Sequence, residues 1–263
     1  IKALTRIDCD THAEEKKRGI TIHLGFAHLD LGNGEMLGIV DVPGHKDFIH
    51  TMVGGASGID FVLLVIAADS GIMPQTREHL NIMRILGLKR GLIALTKVDL
   101  VDAELLAMVR EEVRELVAGT FLETAPIIDV SAKTGAGLEA LKESIRTLVQ
   151  QSEAKPAAGV FRLFVDRVFT VSGFGTVVTG SVISGTAKSG DTLYLLPGKG
   201  DGYRVRRLER HGAEVGEIVA GDRASINLVG LEKADFRRGM LLSDSILRAS
   251  TRIDARLEIY EPE

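Results

Sequence analysis

Three short, almost wholly apolar runs constrain this chain more than anything else in it. They span 61–67, 92–96 and 126–130. Each has the length of a strand, and each is too apolar to lie half exposed, so both of its faces must be covered. Helical signals fall between them. Leu105, Val109, Val113 and Leu116 recur at helical spacing, with Asp102 placed as N-cap and Gly119 as stop. Leu138, Leu141, Ile145 and Leu148 repeat the pattern. Strand–helix alternation of this kind predicts an α/β fold, a doubly wound sheet of parallel strands with helices on both faces. Ahead of it, strand-like runs at 22–30 and 35–40 flank Gly32-Asn33-Gly34, which predicts an antiparallel hairpin.

The character of the chain changes after 152–159, where small residues and Pro156 read as a linker. Beyond it come short β-rich runs at 161–171, 175–183, 191–196, 203–210 and 223–229, with glycine punctuation and no convincing helix. That is the pattern of a small barrel or sandwich. The expected organisation is an α/β domain over 1–151, a linker over 152–159, a β-barrel over 160–247, and the start of a third β unit over 248–263. A length of 263 residues accommodates two such domains.

Composition removes several classes. With 45% hydrophobic and 26% charged residues the chain is neither disordered nor fibrous. A formal net charge of −4 argues against a generally basic RNA-coating protein, though not against a local basic patch. The one cysteine, Cys9, allows no internal disulfide and fits a cytoplasmic setting. No apolar run approaches the roughly 18–20 residues that cross a bilayer, so no membrane partner is expected.

Four short motifs carry chemistry. Asp41-Val42-Pro43-Gly44-His45 follows the strand ending at Val40. An aspartate there can orient a magnesium ion through water, and the glycine lets a backbone N–H approach a phosphate. A capped Pro-Gly turn reads the same way. Thr96-Lys97-Val98-Asp99 ends the run at 92–96. Its carboxylate can accept two N–H donors from a guanine edge, a pair adenine lacks, and the lysine stem can lie along the base. Ser131-Ala132-Lys133 ends the next run, where a backbone N–H can donate to the guanine oxygen. Each is weak alone. Together they follow successive strand ends, which in an open parallel sheet line one crevice where ligands bind. Arg18-Gly19-Ile20-Thr21-Ile22 follows Glu14-Glu15-Lys16-Lys17. Thr21 there can ligate magnesium, and the charged segment can order around a terminal phosphate as a switch. A solvated loop is the plainer reading of the same charges.

Other patterns lead nowhere. Gly198-Lys199-Gly200 lacks the flanks of a phosphate loop, and Gly173-Phe174-Gly175 lies where no helix follows, so both read as turns. The histidines form no convincing zinc set. Arg204, Arg206, Arg207 and Arg210 make a basic cluster in which 204, 206 and 210 share parity. One strand face would then carry them, either as a nucleic-acid-backbone contact or as a solvated surface.

The segment 14–22, Asp41 to His45 and Thr96 to Asp99 together resemble translational GTPases. The forms Arg-Gly-Ile-Thr-Ile and Asp-Val-Pro-Gly-His resemble the elongation factor Tu group. Asp166-Arg167-Val168-Phe169 and the following Ser172-Gly173-Phe174-Gly175-Thr176-Val177-Val178-Thr179-Gly180 are similar to the barrel that follows the GTP-binding (G) domain there. Gly-Gly-Ala-Ser-Gly-Ile-Asp at 54–60, Thr in place of Asn at Thr96, and Ser-Ala-Lys-Thr-Gly from Ser131 look like the selenocysteine-specific branch. The resemblance covers essentially the whole chain.

It implies a P-loop-GTPase-type G domain and an all-β barrel, with GTP or GDP and Mg2+ as cofactors. Thr21 and Asp41 would serve the magnesium and Gly44 the γ-phosphate, with Val42 and Pro43 in the same GTP-binding segment. His45 would position the attacking water. Thr96, Lys97, Val98, Asp99, Ser131, Ala132 and Lys133 would hold the guanine. Asp166, Arg167 and Arg223 match an aminoacyl pocket for selenocysteine. Guanidinium groups there would favour a selenolate over serine. Ion pairing of the two arginines with Asp166 and Asp222 is the competing reading. The implied role is GTP-dependent delivery of selenocysteinyl-tRNA to the ribosome, by a monomer, with mRNA recognition lying C-terminal to these residues. Another elongation factor Tu-like carrier, a GTPase subunit regulating a sulfate-activating enzyme, and a non-catalytic binding module stay open. No G-x-x-x-x-G-K-[ST] occurs in the chain, and Ile1-Lys2-Ala3-Leu4 reads as the helix after a phosphate loop. A fragment lacking its first strand and P-loop, with impaired hydrolysis, is therefore expected.

Overall fold

The computed structural model describes residues 1–9, 21–32, 34–44, 48, 50, 58–152, 157–171, 175–198, 200–236, 239–248, 250–255 and 257. A first sheet of three parallel strands, β3 (Val62–Ala67), β4 (Gly91–Thr96) and β5 (Ile127–Asp129), runs in that spatial order. The antiparallel hairpin of β1 (Gly25–Asp30) and β2 (Met36–Asp41) stands beside it, with Gly25 opposite Asp41 and Asp30 opposite Met36. Helices α1 (Lys2–Thr5), α2 (Pro74–Ile85), α3 (Ala103–Val117) and α4 (Leu138–Gln150) complete this half.

Both faces of the sheet carry packed side chains, most completely at β4; the cover expected for every run fails on β3, where Val65 is 56% exposed. One face packs Leu64, Ile66, Ile93 and Leu95 against Leu80 and Met83 of α2 and Val109, Val113 and Val117 of α3. The other packs Leu92, Ala94 and Val130 against Leu141, Ile145 and Leu148 of α4, with Leu29 and Leu31 of the hairpin. Asp102 caps α3 as expected, its Oδ1 accepting from the Leu105 N–H at 2.8 Å. The buried stripe of α3 differs from the sequence reading, however. Leu105 is 40% exposed, and the face turned to the sheet runs through Leu106, Val109, Val113 and Val117. Leu105 sits in the first turn, one residue round the helix from Leu106, whereas Leu116 packs part-buried against this core as the sequence spacing predicts.

The second half is all β: β6 (Arg162–Val171), β7 (Gly175–Ser184), β8 (Thr186–Lys188), β9 (Thr192–Leu196), β10 (Gly202–Arg210), β11 (Ala213–Val215), β12 (Glu217–Val219), β13 (Arg223–Val229) and β14 (Leu241–Ser243). The order β10-β13-β7-β6-β14-β9, with β9 pairing back onto β10, closes a ring of antiparallel strands. Closure removes the exposed edges that an open sheet of this size would present. Phe161, Leu163, Val178, Val182, Leu193, Leu208, Ile226 and Leu242 fill its interior with essentially no exposure. The turn at 172–174 and most of the strand-like stretch 255–260 lie outside the described residues.

Of three register shifts in the barrel ladders among the described residues, two bear on the site and redirect its side chains. On β6, Val165 faces Gly180 and Arg167 faces Thr179, so Asp166 is the extra residue. Strict alternation would send Asp166 and Arg167 to opposite faces; the bulge puts both outside, between inward Val165 and Val168. Gly180 permits this, since a Cβ there would collide with the Phe164 carbonyl. On β10 the extra residue is Arg206, between Val205 opposite Leu228 and Arg207 opposite Asn227. The shared parity read for Arg204, Arg206 and Arg210 therefore fails at Arg210, which lies beyond the bulge and pairs with Asp222 at 3.2 Å.

Candidate functional site

At the carboxyl ends of β4 and β5 the chain turns sharply. Lys97 takes a left-handed backbone, φ 57° and ψ 32°, and leads into a 3-10 turn over Val98–Leu100. Such a conformation is uncommon for a residue with a side chain. Leu95 lies opposite Asp129, and the Val98 N–H donates to the Val130 carbonyl at 3.4 Å. The segments 96–99 and 131–133 are thus neighbours, as expected from the strand ends.

Ser131 is fully buried and shapes its loop. Its N–H donates to the Ala136 carbonyl at 2.9 Å, and its Oγ accepts from the Thr134 N–H at 3.1 Å. Ala132 and Lys133 stand exposed on that loop, and among the described residues their N–H groups have no protein acceptor. Asp99 is exposed, and its carboxylate has no partner among the described residues. A free carboxylate beside free backbone donors complements an edge carrying two N–H groups and an oxygen, as guanine does. The Thr96 hydroxyl donates to the Ile66 carbonyl at 3.3 Å. It ties the end of β4 to β3.

Asp41 ends β2 opposite Gly25, at the end of the hairpin where the segment carrying Thr21 enters. Val42 packs on the core that also holds Val98, Pro43 is buried, and Gly44 is exposed. Among the described residues, a Cβ at Gly44 would meet only the His79 ring, at 3.7 Å, so backbone can approach a ligand closely there. A hydroxyl, a carboxylate and an open glycine fit magnesium and phosphate chemistry. His79 itself is half-buried on α2; burial holds its pKa below the ordinary 6.5. Its Nε2 has no partner among the described residues. His45 and the segment Arg18-Gly19-Ile20 lie outside the described residues.

The barrel holds the third group. Arg223 at the start of β13 donates to Asp166 twice, Nη1 to Oδ2 at 2.6 Å and Nη2 to Oδ1 at 3.1 Å. Thr179 fixes the carboxylate through Oγ1 at 3.0 Å. Arg167 beside it has no carboxylate partner among the described residues; its Nη2 donates to the Leu24 carbonyl at 3.4 Å. Two guanidiniums and one carboxylate leave the cluster with one unbalanced positive charge. The competing ion-pair reading holds for Arg223 with Asp166, whereas Asp222 pairs with Arg210.

Sequence reading missed Phe26. Its ring lies 3.4 Å from the Arg223 Cζ and 5.4 Å from that of Arg167, a cation–π stack that shields one side of the cluster from water. Two residues on, His28 meets His211 of the barrel with ring centroids 5.6 Å apart. Alternation in β1 is the signal that could have found this: Ala27 and Leu29 face the sheet, so Phe26 and His28 face away from it.

A profile of the elongation factor Tu GTP binding domain matches residues 2–151, and one of elongation factor Tu domain 2 matches 175–243. The selenocysteine-specific elongation factor of Desulfomicrobium baculatum is 56% identical over 243 residues, 92% of this chain and 38% of that protein. That of Escherichia coli K12 is 39% identical over 264 residues, 100% of this chain and 42% of its own. The crystal structure of a bacterial selenocysteine-specific elongation factor superposes with a TM-score of 0.86 at 41% identity, over 92% of this chain and 41% of that one. The chain thus spans about two-fifths of the length of these relatives. With matches running through both the α/β half and the barrel, this chain belongs to the elongation factor Tu GTP-binding family.

Proposed function

We propose that this chain is the nucleotide-binding and aminoacyl-binding part of a cytoplasmic, GTP-dependent translation factor that delivers selenocysteinyl-tRNA to the ribosome and releases it on GTP hydrolysis. Residues 1–151 form the G domain, 152–159 the linker and 160–247 the barrel. Asp99 accepts the two guanine N–H donors, the N–H groups of Ala132 and Lys133 face the guanine oxygen, and Thr96, Lys97, Val98 and Ser131 shape the base slot. Thr21 and Asp41 hold Mg2+, which supplies charge neutralisation at the phosphates. Gly44, held by the GTP-binding turn that includes Val42 and Pro43, brings backbone to the γ-phosphate, and His45 orients the attacking water. Catalysis of this kind rests on positioning and electrostatics.

One observation carries the selenocysteine reading: the unbalanced positive charge of Asp166, Arg167 and Arg223. A selenol is more acidic than a thiol or hydroxyl and is an anion at neutral pH. It completes the charge of the cluster, whereas the neutral hydroxyl of serine on the same tRNA does not. Phe26 on one side lowers the local dielectric and enlarges that difference. The test is GTP-dependent binding of selenocysteinyl- against seryl-tRNA by the chain and its Arg167→Ala/Arg223→Ala variant. The reading expects a preference for the selenocysteinyl form that the double substitution abolishes. An unchanged preference contradicts it.

A further inference from the structure

Asp69 was singled out by no motif, yet it meets the lysine of the base-side segment. Lys97 Nζ lies 3.1 Å from Asp69 Oδ1 and 2.9 Å from Oδ2. Asp69 sits just past the end of β3, in a turn closed by the Ser70 and Gly71 N–H groups donating to the Ala67 carbonyl at 3.1 and 2.9 Å. The Ala68 N–H donates to the Thr96 carbonyl at 2.8 Å, which locks that turn to the end of β4. Ser70 Oγ donates to Asp69 Oδ1 at 3.1 Å. The carboxylate is therefore held from its own strand, and the lysine is drawn across to it from the neighbouring one.

A free lysine stem samples many rotamers, and ordering it on ligand arrival opposes binding. Here both ends of Lys97 are fixed beforehand, the backbone by its left-handed turn and the ammonium by two carboxylate oxygens. What lies between is the aliphatic stem, the part suited to lie against a flat base. We infer that Asp69 is a positioning residue for guanine-nucleotide binding, anchoring the Lys97 ammonium so that its stem is ordered before the base arrives. The inference rests on the base-site reading given above. The pair is partly exposed, 51% and 29% at the two side chains, so its effect is modest.

The test is fluorescent-GDP affinity of the chain and its D69N, D69E, K97M and D69N/K97M variants, alongside their melting temperatures. D69N should weaken GDP about threefold to fivefold, the range an exposed ion pair sustains. D69E should restore most of the loss. In the K97M background D69N should cost nothing further, because no ammonium is left to anchor. A D69N that shifts melting but not affinity, or that weakens GDP equally with and without the Lys97 ammonium, overturns the inference while leaving the base site standing. Failure of the unsubstituted chain to prefer GDP over ADP overturns the base-site reading and the inference with it.

Discussion

The two polar sites of the molecule are built in opposite ways. At the ends of β4 and β5 the polar groups stand open: Asp99 is exposed and unpaired among the described residues, and so are the N–H groups of Ala132 and Lys133. In the barrel they are already engaged, with Arg223 clamped by Asp166, Asp166 by Thr179, and the whole roofed by Phe26. An open site waits for a ligand to satisfy it, so substitutions there act on binding and leave the fold alone. An engaged cluster is part of the fold, so substitutions there act on both.

The largest expected effect sharpens that contrast. Asp99→Ala removes two charge-assisted hydrogen bonds to the base, about 3 kcal/mol or roughly a hundredfold in GDP affinity. Calorimetry should show that loss with a melting temperature changed by no more than about 1 °C, the size of an exposed substitution. Next comes Asp166→Ala, which strands Arg223 in a largely covered position. Its side chain is only 20% exposed, and that of Asp166 only 13%. Denaturant unfolding should register a loss of about 2 kcal/mol, below the 3–5 kcal/mol of a fully buried pair. A silent Asp166→Ala would break the comparison.

The seam between the two halves responds to pH. Burial, the nearby His28 and Arg210 hold the His211 pKa below the ordinary 6.5, with Asp222 opposing them. The folded chain therefore resists a proton that the unfolded chain accepts from about pH 6.5 downward. Stability is complete above that value and declines as pH falls below it. His211→Gln should flatten part of this decline in melting curves taken between about pH 7.5 and 5.5. The smallest effect belongs to the surface: Lys142→Ala breaks a pair with the exposed Glu139 and should leave the melting temperature unchanged to within about 1 °C.

The open site was legible in the sequence because its residues are contiguous and fall where strand periodicity stops. Lys97 and Asp99 follow the last apolar residue of β4, and Ser131 follows that of β5, so a strand prediction also locates the motif. Asp102 as cap, the antiparallel hairpin and the main barrel strands were readable for the same local reason. The engaged cluster resisted reading because its geometry is not local. Alternation assigns Asp166 and Arg167 to opposite faces, and only the bulge, set by the close approach of Gly180, unites them. The partner of Arg223 lies 57 residues away in sequence. Phe26 joins from the other half of the chain, where no motif advertises it. Asp69 escaped notice likewise, since parallel pairing and not sequence proximity brings it to Lys97.

The central claim is that Asp99 reads a guanine edge between the ends of β4 and β5, and the most direct measurement is a base swap. Xanthine carries a carbonyl where guanine carries its amino group, so an amide donor suits it where a carboxylate does not. Calorimetric titration of GDP, XDP and ADP into the chain and its Asp99→Asn variant compares the three edges directly. The account predicts that the unsubstituted chain takes GDP and rejects ADP, and that Asp99→Asn loses GDP and gains XDP. Equal binding of GDP and ADP by the unsubstituted chain, or undiminished GDP binding by Asp99→Asn, would contradict it.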